Sequence, residues 1–242
     1  MVERKKCSVS NEEVTRVKGL GFLRDKTTED CFHCRVITGN GKIGMREMIA
    51  INEAARRFGS GEIALTVRQT IEIQKIPYKH IDDVVEFLKE QGVSTGGTGK
   101  KVRPIVSCKG TTCQFGRIDT YSLSEKIHKR FYEEMRDRVL PHKFKITVGG
   151  CPNNCVKPGL NDVGIIGDVV NGNPAYRVFV GGRFGKTMTM GQELSKKYTS
   201  EEEVLDKIED IITYFEKNGE QGERFAETII RIGFERVDKE LA

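Results

Sequence analysis

Four of the seven cysteines in this 242-residue chain stand in two close pairs, Cys108-Lys-Gly-Thr-Thr-Cys113 and Cys151-Pro-Asn-Asn-Cys155. Two such pairs on tight loops at strand ends can converge on one inorganic centre. Four thiolates suit a [4Fe–4S] cluster or a tetrahedral zinc ion, and four incidental thiols are the third reading. Zinc ribbons favour two residues between paired cysteines, whereas the spacings here are four and three. Pro152 restricts the backbone after Cys151, and Asn153 and Asn154 tolerate the unusual φ that a cluster-wrapping turn demands.

A second chemistry lies just upstream. Lys143-Phe144-Lys145 sits where a strand is expected, and a two-residue period puts both ammonium groups on one face and Phe144 on the other. Two cations on one face make an anion site or, more blandly, a solvated strand face. Cys31-Phe-His-Cys34 has chelate-like spacing, but on a strand its cysteines point to opposite faces, so buried free thiols are the default. An extra site formed with Cys7 and His33 is the minor alternative. His80, His128 and His142 show no partner spacing that argues for a role.

These residues need elements to hold them. Phe32–Ile37 reads as a strand and Gly39-Asn40-Gly41 as a turn. Residues 45–58 carry Met48, Ile49, Ile51, Ala55 and Phe58 near helical spacing, and Gly59-Ser60-Gly61 stops that helix. Strands are expected over Glu62–Thr66 and Thr70–Ile73, and an amphipathic helix over Ile81–Gln91. Together they read as an α+β, ferredoxin-like unit ending near the Gly-rich 94–99 segment. The expected domains are 1–95 and 96–242. The second has strands at Val102–Val106, Phe144–Val148, Val163–Ile166 and Tyr176–Val180, with a long helix over Asp119–Met135. Amphipathic helices at Glu201–Phe215 and Glu223–Leu241 close it.

Composition narrows the classes. Charged residues make up 31% and hydrophobic ones 37%, an ordinary globular balance. No apolar run approaches the roughly 18 residues needed to span a bilayer. Met1–Cys7 has no apolar h-region, so a cytoplasmic address is the default. The net charge of +5 comes from scattered basic residues without a nucleic-acid-binding signature, which disfavours that class. An odd cysteine count in such a chain argues against a disulfide framework.

Gly149-Gly150-Cys151-Pro152-Asn153-Asn154-Cys155, followed by Asn161-Asp162-Val163-Gly164-Ile165-Ile166-Gly167, resembles the signature of the sirohaem sulfite and nitrite reductase family. The upstream pair is similar to that family's first cysteine pair, with four intervening residues where the family usually has five. The resemblance runs roughly from residue 15 to 190 and is closest to the small, single-repeat members. It implies that Cys108, Cys113, Cys151 and Cys155 hold a [4Fe–4S] cluster. Cys155 would bridge that cluster to the sirohaem iron, an arrangement suited to electron transfer in multi-electron reduction.

By the same resemblance, Leu140-Pro141-His142-Lys143-Phe144-Lys145 is the lysine motif that contacts substrate, and Arg35 and Arg103 are the substrate arginines. Arginine clamps oxyanions and keeps its charge, while a lysine buried among cations can also release a proton. Arg68-Gln69-Thr70 resembles the motif that meets the sirohaem carboxylates. Asn153 joins the cofactor loop, and Arg183 and Lys186 on the Gly-rich turn are further partners.

The expected activity is six-electron reduction of sulfite to sulfide. Reduction of nitrite to ammonia is the alternative, and Lys145 favours sulfite because plant-type nitrite reducers tend to carry Asn there. A zinc-stabilised nucleic-acid-binding module is the rival from another class. Electrons would come from a ferredoxin-like protein or a partner subunit. A single repeat that keeps both the basic motifs and all four cysteines points to a homodimer or higher oligomer.

Overall fold

The computed structural model describes residues 5–241. Residues 1–4 of the Met1–Cys7 stretch read for a secretory signal therefore lie outside the described residues. The chain divides into two compact units, Met1–Gly99 and Lys100–Ala242.

The first unit is α+β. Its helices are α1 (Asn11–Gly19), α2 (Met45–Phe58) and α3 (Ile81–Glu90). Its strands are β1 (Phe22–Arg24), β2 (Cys31–Val36), β3 (Ile63–Leu65) and β4 (Ile71–Pro77), forming one antiparallel sheet in the order β1-β2-β4-β3. Neither α1 nor β1 is expected from the sequence pattern. Helix α1 starts where the Ser10 side chain accepts the Glu13 N–H, a local cap that supplies one orphan donor's partner. Phe32, Cys34 and Val36 of β2 are fully buried, while His33 and Arg35 on the opposite face are half-exposed. Helix α2 buries Ala50, Ile51, Ala54 and Ala55, and Ile49, expected on its apolar face, is 62% exposed. β4 runs four residues past Ile73 because a bulge between Phe32 and Cys34, with Lys75 at φ +53°, restores the register.

The second unit surrounds a five-stranded sheet ordered β5 (Val106–Ser107), β6 (Ile146–Gly149), β7 (Val163–Val170), β8 (Asn173–Val180), β9 (Gln192–Glu193). β5, β6 and β7 are parallel, and β8 and β9 are added antiparallel. Its helices are α4 (Thr120–Ile127), α5 (Glu201–Asn218), α6 (Phe225–Ile232) and α7 (Phe234–Leu241). Phe144, Phe215 and Phe225 lock the sheet to α5 and α6, with ring centroids 5.2–5.7 Å apart.

Besides β4, and β7 and β8, which run longer than expected, three expected elements are shortened or broken. The strand over Val102–Val106 shrinks to Val106–Ser107, because Pro104 has no N–H for a ladder; Val102 makes a single parallel bridge to Phe144 instead. The helix expected over Asp119–Met135 is α-helical only to Ile127 and widens into a π turn over His128–Glu133. The tail expected to be helical over Glu223–Leu241 breaks into α6 and α7 at Gly233, whose φ of +95° an L side chain rarely adopts. Among the described residues no helix is long and apolar enough to cross a membrane.

Candidate functional site

Both cysteine loops leave the carboxyl ends of neighbouring parallel strands, the place where α/β sheets gather ligands. Cys108 comes directly after β5, and Cys151 two residues after the end of β6. The loops meet backbone to backbone at Gly110 and Gly150, and the Gly150 N–H donates to Cys108 Sγ at 3.1 Å. Cys108, Cys113 and Cys151 are half-buried and Cys155 is exposed.

The start of α4 organises the first loop. Asp119 Oδ1 accepts the N–H groups of Tyr121 and Ser122 and the Thr111 hydroxyl at 2.7 Å. The Thr120 hydroxyl donates to the Cys108 carbonyl at 2.8 Å and accepts the Thr111 N–H. The second loop is shaped by Asn154 at φ +57° and Lys157 at φ +51°, and then by Pro158, which lies against Gly149 and Gly164. Of the two asparagines expected to take an unusual φ, Asn154 does so, and Asn153 is exposed beside it.

Two loops in contact that bring four sulfur donors to one edge of the sheet fit a [4Fe–4S] cluster. Among the described residues no three Cys, His, Asp or Glu stand close enough to hold a single ion.

The cationic residues of this unit gather at the other ends of the same strands. The Arg103 N–H donates to the Phe144 carbonyl at 2.8 Å, which ties Arg103 to the segment carrying Lys143 and Lys145. Phe144 is fully buried, and both lysines are half-buried beside it, as the two-residue period requires. Burial lowers the proton affinity of Lys143, and the charges of Arg224, Arg103 and Arg183 lower it further, against the pull of Asp162. His142 is likewise pushed down, first by burial and then by Arg224, Lys143, Lys100 and Arg103. Five residues of chain lie between Lys145 and Cys151, roughly 20 Å from one to the other when extended, so the lysines and the cysteine loops lie toward opposite ends of β6.

Arg183 stands half-buried at the Gly-rich turn, its guanidinium paired with Glu227 at the start of α6, and Lys186 is exposed on the same turn. That turn is seated on the start of β7, since a Cβ on Gly182 would fall 2.5 Å from the Asn161 carbonyl oxygen.

The other sequence-predicted residues belong to the first unit. Arg35 faces Glu72 across the β2–β4 ladder, and its Nη2 donates to Glu72 Oε1 at 2.8 Å while Nη1 donates to the Gly97 carbonyl. Its guanidinium therefore already holds a carboxylate partner. Arg68, Gln69 and Thr70 form the tight turn between β3 and β4, where Gln69 has φ +58° and the buried Thr70 hydroxyl bonds Thr66 at 2.7 Å. Cys34 lies in this unit's core, and burial raises its thiol far above the ordinary range.

Sequence reasoning missed Asp119, Thr120, Asp162 and Arg224. Asp119 was within reach, since an Asp before a helical stretch is a cap signal. Asp162 and Arg224 carry no local signal of their pairing; their ion pair joins residues far apart in the chain.

Comparison with known proteins adds to this geometry. Residues 98–242 match the family model of the nitrite and sulphite reductase 4Fe-4S domain, and residues 24–91 that of the nitrite/sulfite reductase ferredoxin-like half domain. An uncharacterised protein of Methanocaldococcus jannaschii is 34% identical over 165 residues, which cover 68% of this chain and 54% of that protein. The coenzyme F420-dependent sulfite reductase of the same organism is 26% identical, over 75% of this chain and 37% of its own length. The solved structure of the Mycobacterium tuberculosis NirA protein matches 97% of this chain and 47% of its own, with a TM-score of 0.84 and 17% identity. The chain thus spans about half or less of the length of these relatives.

Proposed function

The chain belongs to the nitrite and sulfite reductase 4Fe–4S family, whose cofactors are a [4Fe–4S] cluster and sirohaem, and on that premise we propose that it reduces sulfite to sulfide. The observation that supports this reading is the backbone tie between Arg103 and the Lys143–Lys145 segment, just ahead of the strands that lead to the cysteine loops. Sulfite is a small dianion whose six-electron reduction consumes protons. A site for it needs several fixed cations and at least one that can release a proton.

The bound cofactors would supply electrons and an open iron position for the anion. The chain's own residues do the rest. Cys108, Cys113, Cys151 and Cys155 are the proposed sulfur donors, and the Gly150 N–H donates to Cys108 Sγ. Arg103 keeps its charge at every relevant pH and orients oxyanions, and Lys145 adds a second fixed charge. Lys143, whose proton affinity is lowered by burial and by three arginines, is poised to give its proton to a substrate oxygen and to regain one from water. Arg68, Gln69, Thr70, Asn153, Arg183 and Lys186 are the proposed partners of the sirohaem carboxylates, and Arg35 a proposed substrate arginine. Electrons would come from an external ferredoxin-like protein or a partner subunit. A homodimer or higher oligomer is the proposed assembly, because a single repeat carries both the basic motifs and all four cysteines.

Nitrite reduction to ammonia is the second reading, and Lys145 is the residue that favours sulfite over it. The test is turnover of both anions by anaerobically prepared, iron- and sirohaem-supplied protein with one chemical reductant. Higher kcat/KM on sulfite supports the proposal; higher kcat/KM on nitrite transfers it to the second reading. Protein that takes up both cofactors yet reduces neither anion rejects both.

A further inference from the structure

Asp162 stands in the Asn161–Gly167 stretch of the family-like signature, but sequence reasoning assigns it no role. It is fully buried, and among the described residues of the second unit no other carboxylate is. Both of its oxygens accept from Arg224 Nη2, at 3.0 and 2.8 Å, and Arg224 is itself 4% exposed. Asp162 Oδ2 also accepts the backbone N–H of Lys145 at 2.9 Å. Its own carbonyl accepts the N–H of Gly181, next to the turn that carries Arg183. Arg224 heads α6, and Glu227 of the same helix turn receives the Arg224 N–H and the Arg183 guanidinium. One buried residue thus fastens the lysine segment and α6 through its carboxylate and the Gly-rich turn through its backbone carbonyl.

The charges around it explain why a carboxylate stands there. Lys143 is surrounded by Arg103 from the segment before β5, Arg183 from the turn after β8, and Arg224 from the head of α6. His142 and Lys145 flank it in sequence, and Lys100 adds to the positive field at His142. Asp162 is a carboxylate that favours the charged lysine, while Arg183 is paired with Glu227. Without Asp162, the surrounding guanidinium charges would lower the proton affinity of Lys143 further.

We infer that Asp162 is a positioning residue for the anion site: clasped to Arg224, it fixes the backbone at Lys145 and sets a buried carboxylate at that N–H, two residues along the chain from Lys143, against the arginines there. The inference rests on the proposed function only for its consequence in turnover; the charge balance itself belongs to the chain.

The test is the pH dependence of acylation of the Lys143 amine by a water-soluble amine reagent. It is read by peptide mass spectrometry on the full-length chain as purified, with exposed Lys89 as internal reference. Asp162→Asn should make Lys143 reactive at lower pH. Arg224→Gln should shift it to higher pH, because Asp162 then answers to fewer cations. Asp162→Glu should lie nearer wild type than Asp162→Asn. Opposite directions for the two neutralising variants are the signature, since mere loosening of the fold would move both the same way. Shifts in the same direction, or no shift in either, overturn the inference. If Asp162→Asn fails to accumulate, Arg224→Gln decides alone, and an unmoved or acid-shifted profile overturns the inference. Because this readout needs no turnover, wild-type protein that reduces neither anion would count against the proposed function and leave this result standing.

Discussion

Gly110 and Gly150 approach so closely that a Cβ on Gly110 would lie 2.9 Å from the Cα of Gly150, and one on Gly150 would lie 2.8 Å from the Cα of Gly110. The contact joins the two loops that carry the four cysteines. A side chain on either glycine would push apart the loops that carry the proposed cluster ligands.

Gly150→Ala should therefore cost about 1–3 kcal/mol of stability, the usual penalty for overpacking. It should also lower bound iron per chain after anaerobic reconstitution. Iron analysis and a thermal melt check both effects, and unchanged iron would mean that the loops can separate without losing the site.

Asp119→Ala removes the cap of α4 and the partner of the Thr111 hydroxyl. The expected loss is about 1 kcal/mol, or roughly 2–4 °C in Tm for a chain of this size. Cluster uptake should slow as well, because the Cys108–Cys113 loop loses its anchor. Asp119→Asn, which keeps an acceptor oxygen, should recover most of the stability.

Lys145→Asn should weaken reduction of sulfite more than that of nitrite. Loss of one charge-assisted hydrogen bond is worth about 2 kcal/mol, or roughly 30-fold in kcat/KM. Steady-state kinetics on both anions measure the ratio, and equal losses on the two would remove Lys145 as the source of preference.

His142 should make the fold less stable in acid. Burial and the neighbouring cations hold its folded-state pKa below the ordinary 6.5. As the pH falls below that ordinary value, the unfolded chain binds a proton that the native state resists. Unfolding then takes up protons, so stability drops between about pH 6.5 and the lower folded value. His142→Gln should flatten this part of a stability-versus-pH curve from denaturant melts. A steeper acid loss in that variant would reverse the assignment.

Cys34→Ala should leave bound iron unchanged, because Cys34 is packed in the core of the first unit. The lost sulfur contacts should cost about 1 kcal/mol. Cys151→Ser in the same assay should lose iron.

Features set by short spacing were legible in the chain before any fold was known. The two cysteine pairs, the Lys143-Phe144-Lys145 alternation, helix α2 and the strand pair β7 and β8 are all local patterns. Neighbours in sequence fix periodicity and turn chemistry, so these emerge near their true places. The partners of these residues, by contrast, came only with the packed chain. Arg35 is matched to Glu72 by the β2–β4 register, Gly110 meets Gly150 because β5 and β6 are adjacent, and Asp162 meets Arg224 across 62 residues of chain. Such pairings depend on which strands and helices pack together, a property of the whole buried core that no local window of residues encodes. The same reason hid the break at Gly233 and the π turn after Ile127, where packing overrides a continuous amphipathic pattern.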